Sequence, residues 1–253
     1  MLARPDALTI RNLSAAYGGK PALLSIDASI PAGSMTAIVG PNGAGKSTLI
    51  KTCLGIVPKV TGEVRFFGEP LERVRARVAY MPQRASVDWD FPATALDVVT
   101  MGLYRELGLF RLAGRRHRAK AMDCLSRVGL QDFAARQIGQ LSGGQQQRVF
   151  LARALAQDAD LYIMDEPFAG VDAATEQAIV EVLKSINAGG RTIVCVHHDL
   201  SSVARIFDRV LLVNGRKVAD GPVASAFTRA HLDIAYGGRL TVEDGSKAEV
   251  EAA

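Results

Sequence analysis

The chain has little cysteine. Three residues, Cys53, Cys124 and Cys195, are scattered through 253 positions without a Cys-x-x-Cys pair. That set excludes a disulfide framework or a cysteine-ligated metal site and reads as reduced, packed thiols. Although 48% of the residues are hydrophobic and the mean hydropathy is +0.12, there is no uninterrupted apolar run of about 18 residues, so no segment reads as a helix that spans a bilayer. Met1 to Asp6 lacks the apolar core of a signal peptide, and the expectation is a cytosolic protein. Internal repeats, low-complexity linkers and an Asn-Lys-x-Asp guanine-reading stretch are missing too, which argues against repeat arrays and GTPases. The formal net charge of +4 is compatible with nucleic acid, an anionic membrane surface or a bound polyphosphate.

Three blocks separate by pattern. In the first, short strand-like runs (Leu8 to Leu13, Ser34 to Val39, Glu63 to Phe67) alternate with Gly/Pro turns, and one helix runs from Lys46 to about Leu54. The middle block, about 86–156, reads as mostly helical: Leu96, Val99 and Leu103 share one helical face, as do Met122, Leu125 and Val128, with Gly129 as a stop. The third block returns to apolar strands (Leu161 to Met164, Thr192 to Val196, Val210 to Val213) around a helix from Thr175 to Ile186. Apolar strands alternating with helices imply an α/β fold with a parallel sheet covered on both faces, into which the helical block is inserted. From Leu240 onward the sequence is polar and reads as a frayed tail.

Gly40, Pro41, Asn42, Gly43, Ala44, Gly45, Lys46, Ser47 and Thr48 fit G-x-x-x-x-G-K-[ST], after an apolar strand and at the start of a helix. The chemistry needs these residue types. Glycines let the backbone curl so that successive N–H groups point at phosphate oxygens, and the helix start adds unpaired donors and a positive dipole end. Lys46 is placed to bridge β- and γ-phosphates, and Ser47 to hold Mg²⁺ through its hydroxyl. The cofactors expected are therefore ATP and Mg²⁺.

Leu161-Tyr-Ile-Met-Asp165-Glu166 is an apolar strand ending in two acids. Ligands of open α/β sheets bind beyond the carboxyl ends of strands, so Asp165 is a candidate for the Mg²⁺ shell and Glu166 for the general base that activates water. The bland alternative is that the acids cap the following helix. Farther upstream, Leu141-Ser142-Gly143-Gly144-Gln145 precedes a helical stretch from Gln146 to Ala156. Ser142 and Gln145 form a capping box, and the bare helix start is a second anion site.

On these motifs, and over nearly its whole length, the sequence resembles the ATP-binding subunits of ABC transporters, whose signature is LSGGQ. The resemblance implies a phosphate-loop, RecA-like parallel-sheet core with an N-terminal antiparallel β subdomain and an inserted α-helical subdomain. It divides the chain into an ATP-binding domain over 1–240 (core about 1–85 and 157–235, helical subdomain about 86–156) and a polar tail, 241–253. It further implies a head-to-tail pair in which the phosphate loop of one copy and Ser142, Gly143, Gly144 and Gln145 of the other sandwich each ATP. By the same resemblance Gln83 touches Mg²⁺ and the lytic water, Asp172 in Ala169-Gly-Val-Asp172 crosses the pair, His198 lies near the γ-phosphate, and Tyr17 stacks on adenine. His197, one position earlier, would point to the opposite side if the strand continues.

The segment Arg84-Ala-Ser-Val-Asp88-Trp89-Asp90-Phe91-Pro92-Ala-Thr94 resembles the manganese, zinc and iron importer branch of the bacterial ATP-binding subunits, as do Asp97 to Tyr104 and Pro167 to Asp172. In that branch the partners are integral-membrane permease subunits, an extracytoplasmic metal-binding protein acting indirectly, and a second copy of the ATPase, on the cytoplasmic face of the inner membrane. Exposed Trp89 and Phe91 would suit a partner groove; the alternative is a loop whose Trp packs locally. Arg115-Arg116-His117-Arg118 reads as a solvated helix face, or as a contact for anionic lipid. An ABC-type ATPase acting on nucleic acid is the main rival, but one phosphate loop, one LSGGQ and a short insertion imply no nucleic-acid partner. Importers of another substrate and a cassette that no longer hydrolyses are the others.

Overall fold

The computed structural model describes residues 5–84, 89, 91–107, 112–237, 240–241 and 249–250. The strands in chain order are β1 (Leu8–Tyr17), β2 (Lys20–Ile30), β3 (Met35–Val39), β4 (Lys59–Phe66), β5 (Val78–Met81), β6 (Leu161–Asp165), β7 (Thr192–Val196), β8 (Arg209–Asn214), β9 (Arg216–Pro222), β10 (Leu240–Thr241) and β11 (Glu249–Val250). The helices are α1 (Lys46–Cys53), α2 (Leu71–Val74), α3 (Ala95–Met101), α4 (Tyr104–Leu107), α5 (Arg115–Arg127), α6 (Gly143–Ala156), α7 (Ala173–Ala188), α8 (Val203–Ile206), α9 (Val223–Ala226) and α10 (Arg229–Tyr236). Among the described residues no helix is long and apolar enough to cross a membrane. Internal contacts divide the chain into two units, Met1–Val74 with Thr192–Ala253, and Arg75–Arg191.

In the first unit β3 pairs in parallel with both β7 and β8, and β9 adds to β8 antiparallel. Every residue of β3 and β7 is buried. That explains their unbroken apolar runs: a parallel strand covered on both faces has no solvent side to alternate with. A second sheet in this unit is antiparallel, in the order β2-β1-β4. Its pairings carry several register shifts, which is why β2 was not legible as a strand: bulges break the period of two that marks a half-buried strand. The polar segment after Leu240 is not wholly unpaired, since β10 pairs antiparallel with β11; backbone ladders do not require apolar side chains.

In the second unit β5 pairs in parallel with β6, and α3, α5 and α6 pack on one another. Val99, Ala121, Leu125, Val149, Leu151 and Ala152 are buried there at 1% exposure or less. The α3 helix ends at Met101, before Leu103, although both Val99 and Leu103 are buried. Gly102 explains the close packing: a Cβ there would lie 2.4 Å from the Arg153 carbonyl oxygen of α6. The α/β class, with parallel strands, an antiparallel N-terminal sheet and a helical block, is the one that the sequence implied.

Candidate nucleotide site

The first unit carries the phosphate loop. β3 delivers the chain into Gly40, where a Cβ would sit 2.0 Å from the Val213 carbonyl oxygen of β8, so only glycine fits. Gly43 and Gly45 adopt left-handed φ values of +80° and +89°, a region glycine enters without steric cost. Gly45 is the N-cap of α1 and, having no side chain, makes no side-chain cap bond to its amides; the start of a helix is where backbone donors and the positive dipole end favour an anion. Ala44 closes the turn with a backbone bond to Pro41. Lys46 is buried and donates from Nζ to the carbonyls of Gly40 at 2.7 Å and Pro41 at 2.9 Å. Ser47 and Thr48 occupy the first turn of α1. Tyr236 of α10 supports the loop start: the Gly40 N–H bonds to its hydroxyl, while burial pushes that phenol up to about 12.

Tyr17 ends β1, half exposed at 51%. His197 and His198 follow β7 in the same unit and differ sharply. His197 is buried and His198 exposed, as the alternation of a continuing strand implies.

The second unit carries the acids and the LSGGQ segment. Asp165 ends β6 at 0% exposure. Burial pushes the Tyr80 hydroxyl up to about 12, and the negative charge of Asp165 adds to the rise. Glu166 follows with φ +55°, a left-handed backbone rare for a residue with a side chain. Its Oε2 accepts from Gln83 Nε2 at 2.9 Å. Two residues 83 positions apart are thereby brought together at the end of a buried strand.

Ser142 caps α6, accepting from the Gln145 N–H at 3.3 Å while Gln145 Oε1 accepts from the Ser142 N–H at 2.9 Å. Gly143 and Gly144 open the helix. A Cβ on Gly144 would meet Thr175 of α7 at 3.2 Å, and the Thr175 N–H donates to Asp172 Oδ1 at 2.7 Å. The Thr175 backbone N–H, then its hydroxyl, holds the Asp172 carboxyl below its ordinary pKa. LSGGQ and Asp172 are thus close neighbours within this unit.

One expectation is corrected. Trp89 is only partly exposed: its Nε1 donates to the Arg84 carbonyl at 3.0 Å and its ring lies 5.0 Å from Phe150. Satisfying the indole N–H and packing the ring, tilted by 59°, against Phe150 leaves little for a partner. Phe91 is 54% exposed. Positions 85–88 and 90 of that segment lie outside the described residues. Sequence reasoning also passed over Gln146, Gln147 and Tyr236. All three are buried, and they carried no signal beyond membership in apolar helical stretches.

The sequence profile of the family described as ABC transporter matches residues 23–169. The chain belongs to the ABC transporter family. This ABC chain is 57% identical over 235 residues to the zinc transport system ATP-binding protein TroB of Treponema pallidum, a match covering 93% of this chain and 88% of TroB. It is 53% identical over 230 residues to the manganese transport system ATP-binding protein MntB of Bacillus subtilis, covering 91% and 92%. Among solved structures, it is similar to a nucleotide-free ATP-binding cassette from an ABC transporter, with TM-score 0.76, 26% identity and coverage of 91% and 94%. A dimeric cassette bound to ADP and Pi in a post-hydrolysis state gives TM-score 0.75 at 30% identity, covering 85% of this chain and 98% of that one.

Proposed function

We propose that this ABC ATPase drives import of a divalent metal ion, manganese, zinc or iron, through a separate membrane permease. The observation that supports hydrolysis is the hydrogen bond from Gln83 to the carboxylate of Glu166, directly after the buried Asp165. The metal is supported by relatives of zinc and manganese transport systems at 57% and 53% identity. In this reading residues 1–240 form the ATP-binding domain and 241–253 a polar tail.

The chain's own residues have distinct tasks. Gly40 to Thr48 bind the triphosphate through backbone N–H groups, and Lys46 exchanges the Gly40 and Pro41 carbonyls for phosphate oxygens. Tyr17 stacks on adenine. Ser47, Gln83 and Asp165 offer oxygen donors, a set that suits a hard cation. Mg²⁺, when bound, neutralises charge on the β- and γ-phosphate oxygens. The Glu166 carboxylate takes a proton from the attacking water, Gln83 orients that water, and His198 contacts the γ-phosphate. Ser142 to Gln145 and Asp172 serve the nucleotide of a second copy. ATP thereby favours the closed pair, because it contacts both copies only there.

The partners in this reading are permease subunits, a second copy of the chain and, indirectly, an extracytoplasmic metal-binding protein. The place of action is the cytoplasmic face of the bacterial inner membrane. The test is ATP-dependent uptake of radiolabelled Mn²⁺, Zn²⁺ and Fe²⁺ into vesicles carrying the chain with its cognate permease and binding protein. Uptake of one metal is expected, with Glu166→Gln lowering turnover by about 100-fold or more and abolishing transport. Intact hydrolysis without uptake of any of the three would overturn the metal assignment. Full turnover by Glu166→Gln would overturn the catalytic one.

A further inference from the structure

The backbone of Glu166 needs outside support. A left-handed φ of +55° is unfavourable for a side-chain-bearing residue and persists where its surroundings hold it. Within its own turn the Glu166 carbonyl accepts from the Ala169 N–H at 3.2 Å, and a side-chain fastening on the same oxygen comes from α6. Gln147, 1% exposed, donates from Nε2 to the Glu166 carbonyl at 3.0 Å. On the other side of the same residue, the Glu166 carboxylate accepts from Gln83.

The preceding residue of α6 serves the other half of that contact. Gln146 is 4% exposed, and its Oε1 accepts from Arg84 Nε at 3.0 Å and Nη2 at 2.8 Å. Its amide nitrogen donates to the Ile138 carbonyl at 3.1 Å. Arg84 directly follows Gln83. Two consecutive buried amides of one helix therefore hold the backbone of Glu166 and the neighbour of Gln83. Burying an amide is unfavourable unless it is hydrogen-bonded, and a leucine at 147 would fill similar space without holding anything.

We infer that Gln147 is a positioning residue for the hydrolytic step: its side-chain amide fixes the Glu166 carbonyl and so the left-handed turn that aims the Glu166 carboxylate at Gln83. The inference rests on the reading of Glu166 as the base.

The experiment compares Gln147→Leu, Gln147→Glu and Glu166→Gln with the wild-type chain, assembled with its permease, for ATP turnover between pH 6 and 9. Small misplacements of a catalytic group reduce rate far more than binding. Gln147→Leu is expected to lower kcat about tenfold or more, with KM for ATP within about twofold. A protonated glutamic acid can donate to the Glu166 carbonyl and a carboxylate cannot. The kcat of Gln147→Glu relative to wild type is therefore expected to rise as pH falls, while that of Gln147→Leu stays flat. The ratio removes pH effects common to both proteins, and it remains readable if the leucine variant folds poorly. Wild-type kcat in Gln147→Leu, or a flat ratio for Gln147→Glu, overturns the inference. If Glu166→Gln keeps full turnover, the reading of Glu166 fails instead, and the two failures are distinct.

Discussion

His197 Nε2 lies 2.7 Å from Ser202 Oγ, joining the end of β7 to the turn before α8 in a fully buried contact. Ser202 in turn donates to the Asp199 carbonyl at 3.2 Å, so the pair closes the turn that follows His198. Burial pushes the His197 imidazole down to about 4, with His198 and Arg205 acting the same way and Asp199 opposing them. A folded pKa below the ordinary 6.5 means that the unfolded chain binds the proton more readily. Stability from this site is complete above pH 6.5 and is lost as pH falls toward 4. The loss is on the order of 3 kcal/mol by that shift. Thermal melts from pH 7.5 to 4 should show a fall in Tm over that window, and His197→Gln, which cannot take up the proton, should flatten it.

Gly45 and Gly43 separate two kinds of glycine requirement. A Cβ on Gly45 would lie 2.7 Å from Leu23 Cδ2 and 2.9 Å from the Ala22 carbonyl oxygen, whereas one on Gly43 meets nothing within 4 Å. Gly45→Ala is expected to cost about 2–3 kcal/mol from clash and left-handed strain combined, and Gly43→Ala about 1 kcal/mol from strain alone. Urea midpoints check both. Nucleotide binding, read with a fluorescent ATP analogue, should be lost in Gly45→Ala, because the loop amides of Ala44 to Lys46 no longer converge.

Ser142 has a structural role and a proposed ligand role that one substitution separates. Ser142→Ala removes the α6 cap and should lower stability by about 1 kcal/mol. Ser142→Asp keeps a capping oxygen and suits the helix dipole, so its Tm should match wild type. Its ATPase activity should nonetheless be abolished, because the added carboxylate repels the partner's triphosphate. Turnover equal to wild type in Ser142→Asp would argue that the start of α6 faces no nucleotide.

The three thiols should be inert in the native protein. Cys53, Cys124 and Cys195 are all buried, and burial pushes Cys53 up to about 12 and raises the other two as well. Alkylation by iodoacetamide at pH 8 should be about 100-fold or more slower in buffer than in urea, since the thiolate is the reactive form. Mass spectrometry after timed quenching measures it.

Particular residues show how much was legible in sequence. Gly40 to Thr48, Asp165 with Glu166, and Ser142 to Gln145 are local motifs: each sets its own backbone geometry within one strand-turn-helix step, and short-range sterics and capping suffice to read it. The buried strands β3, β6 and β7 were legible because apolar runs of that length between turn residues have few other fates. β2 and β9 were not, since an antiparallel partner and bulges, rather than their own periodicity, make them strands. Trp89 was read as exposed because nothing in its flanks announces Phe150.

The sequence by itself determined the chemistry: which backbone curls around phosphate, which acids end a strand, and which helix begins bare. Those depend on φ preferences, missing Cβ atoms and capping groups within a few residues. Only the tertiary structure decided which side chain holds which. Gln83 meets Glu166, Gln147 grips the Glu166 carbonyl, Tyr236 braces Gly40, and His197 rather than His198 is buried. Such pairings join residues far apart in the chain. They follow from how the elements pack to bury apolar surface and satisfy buried polar groups, which no short stretch of sequence specifies alone.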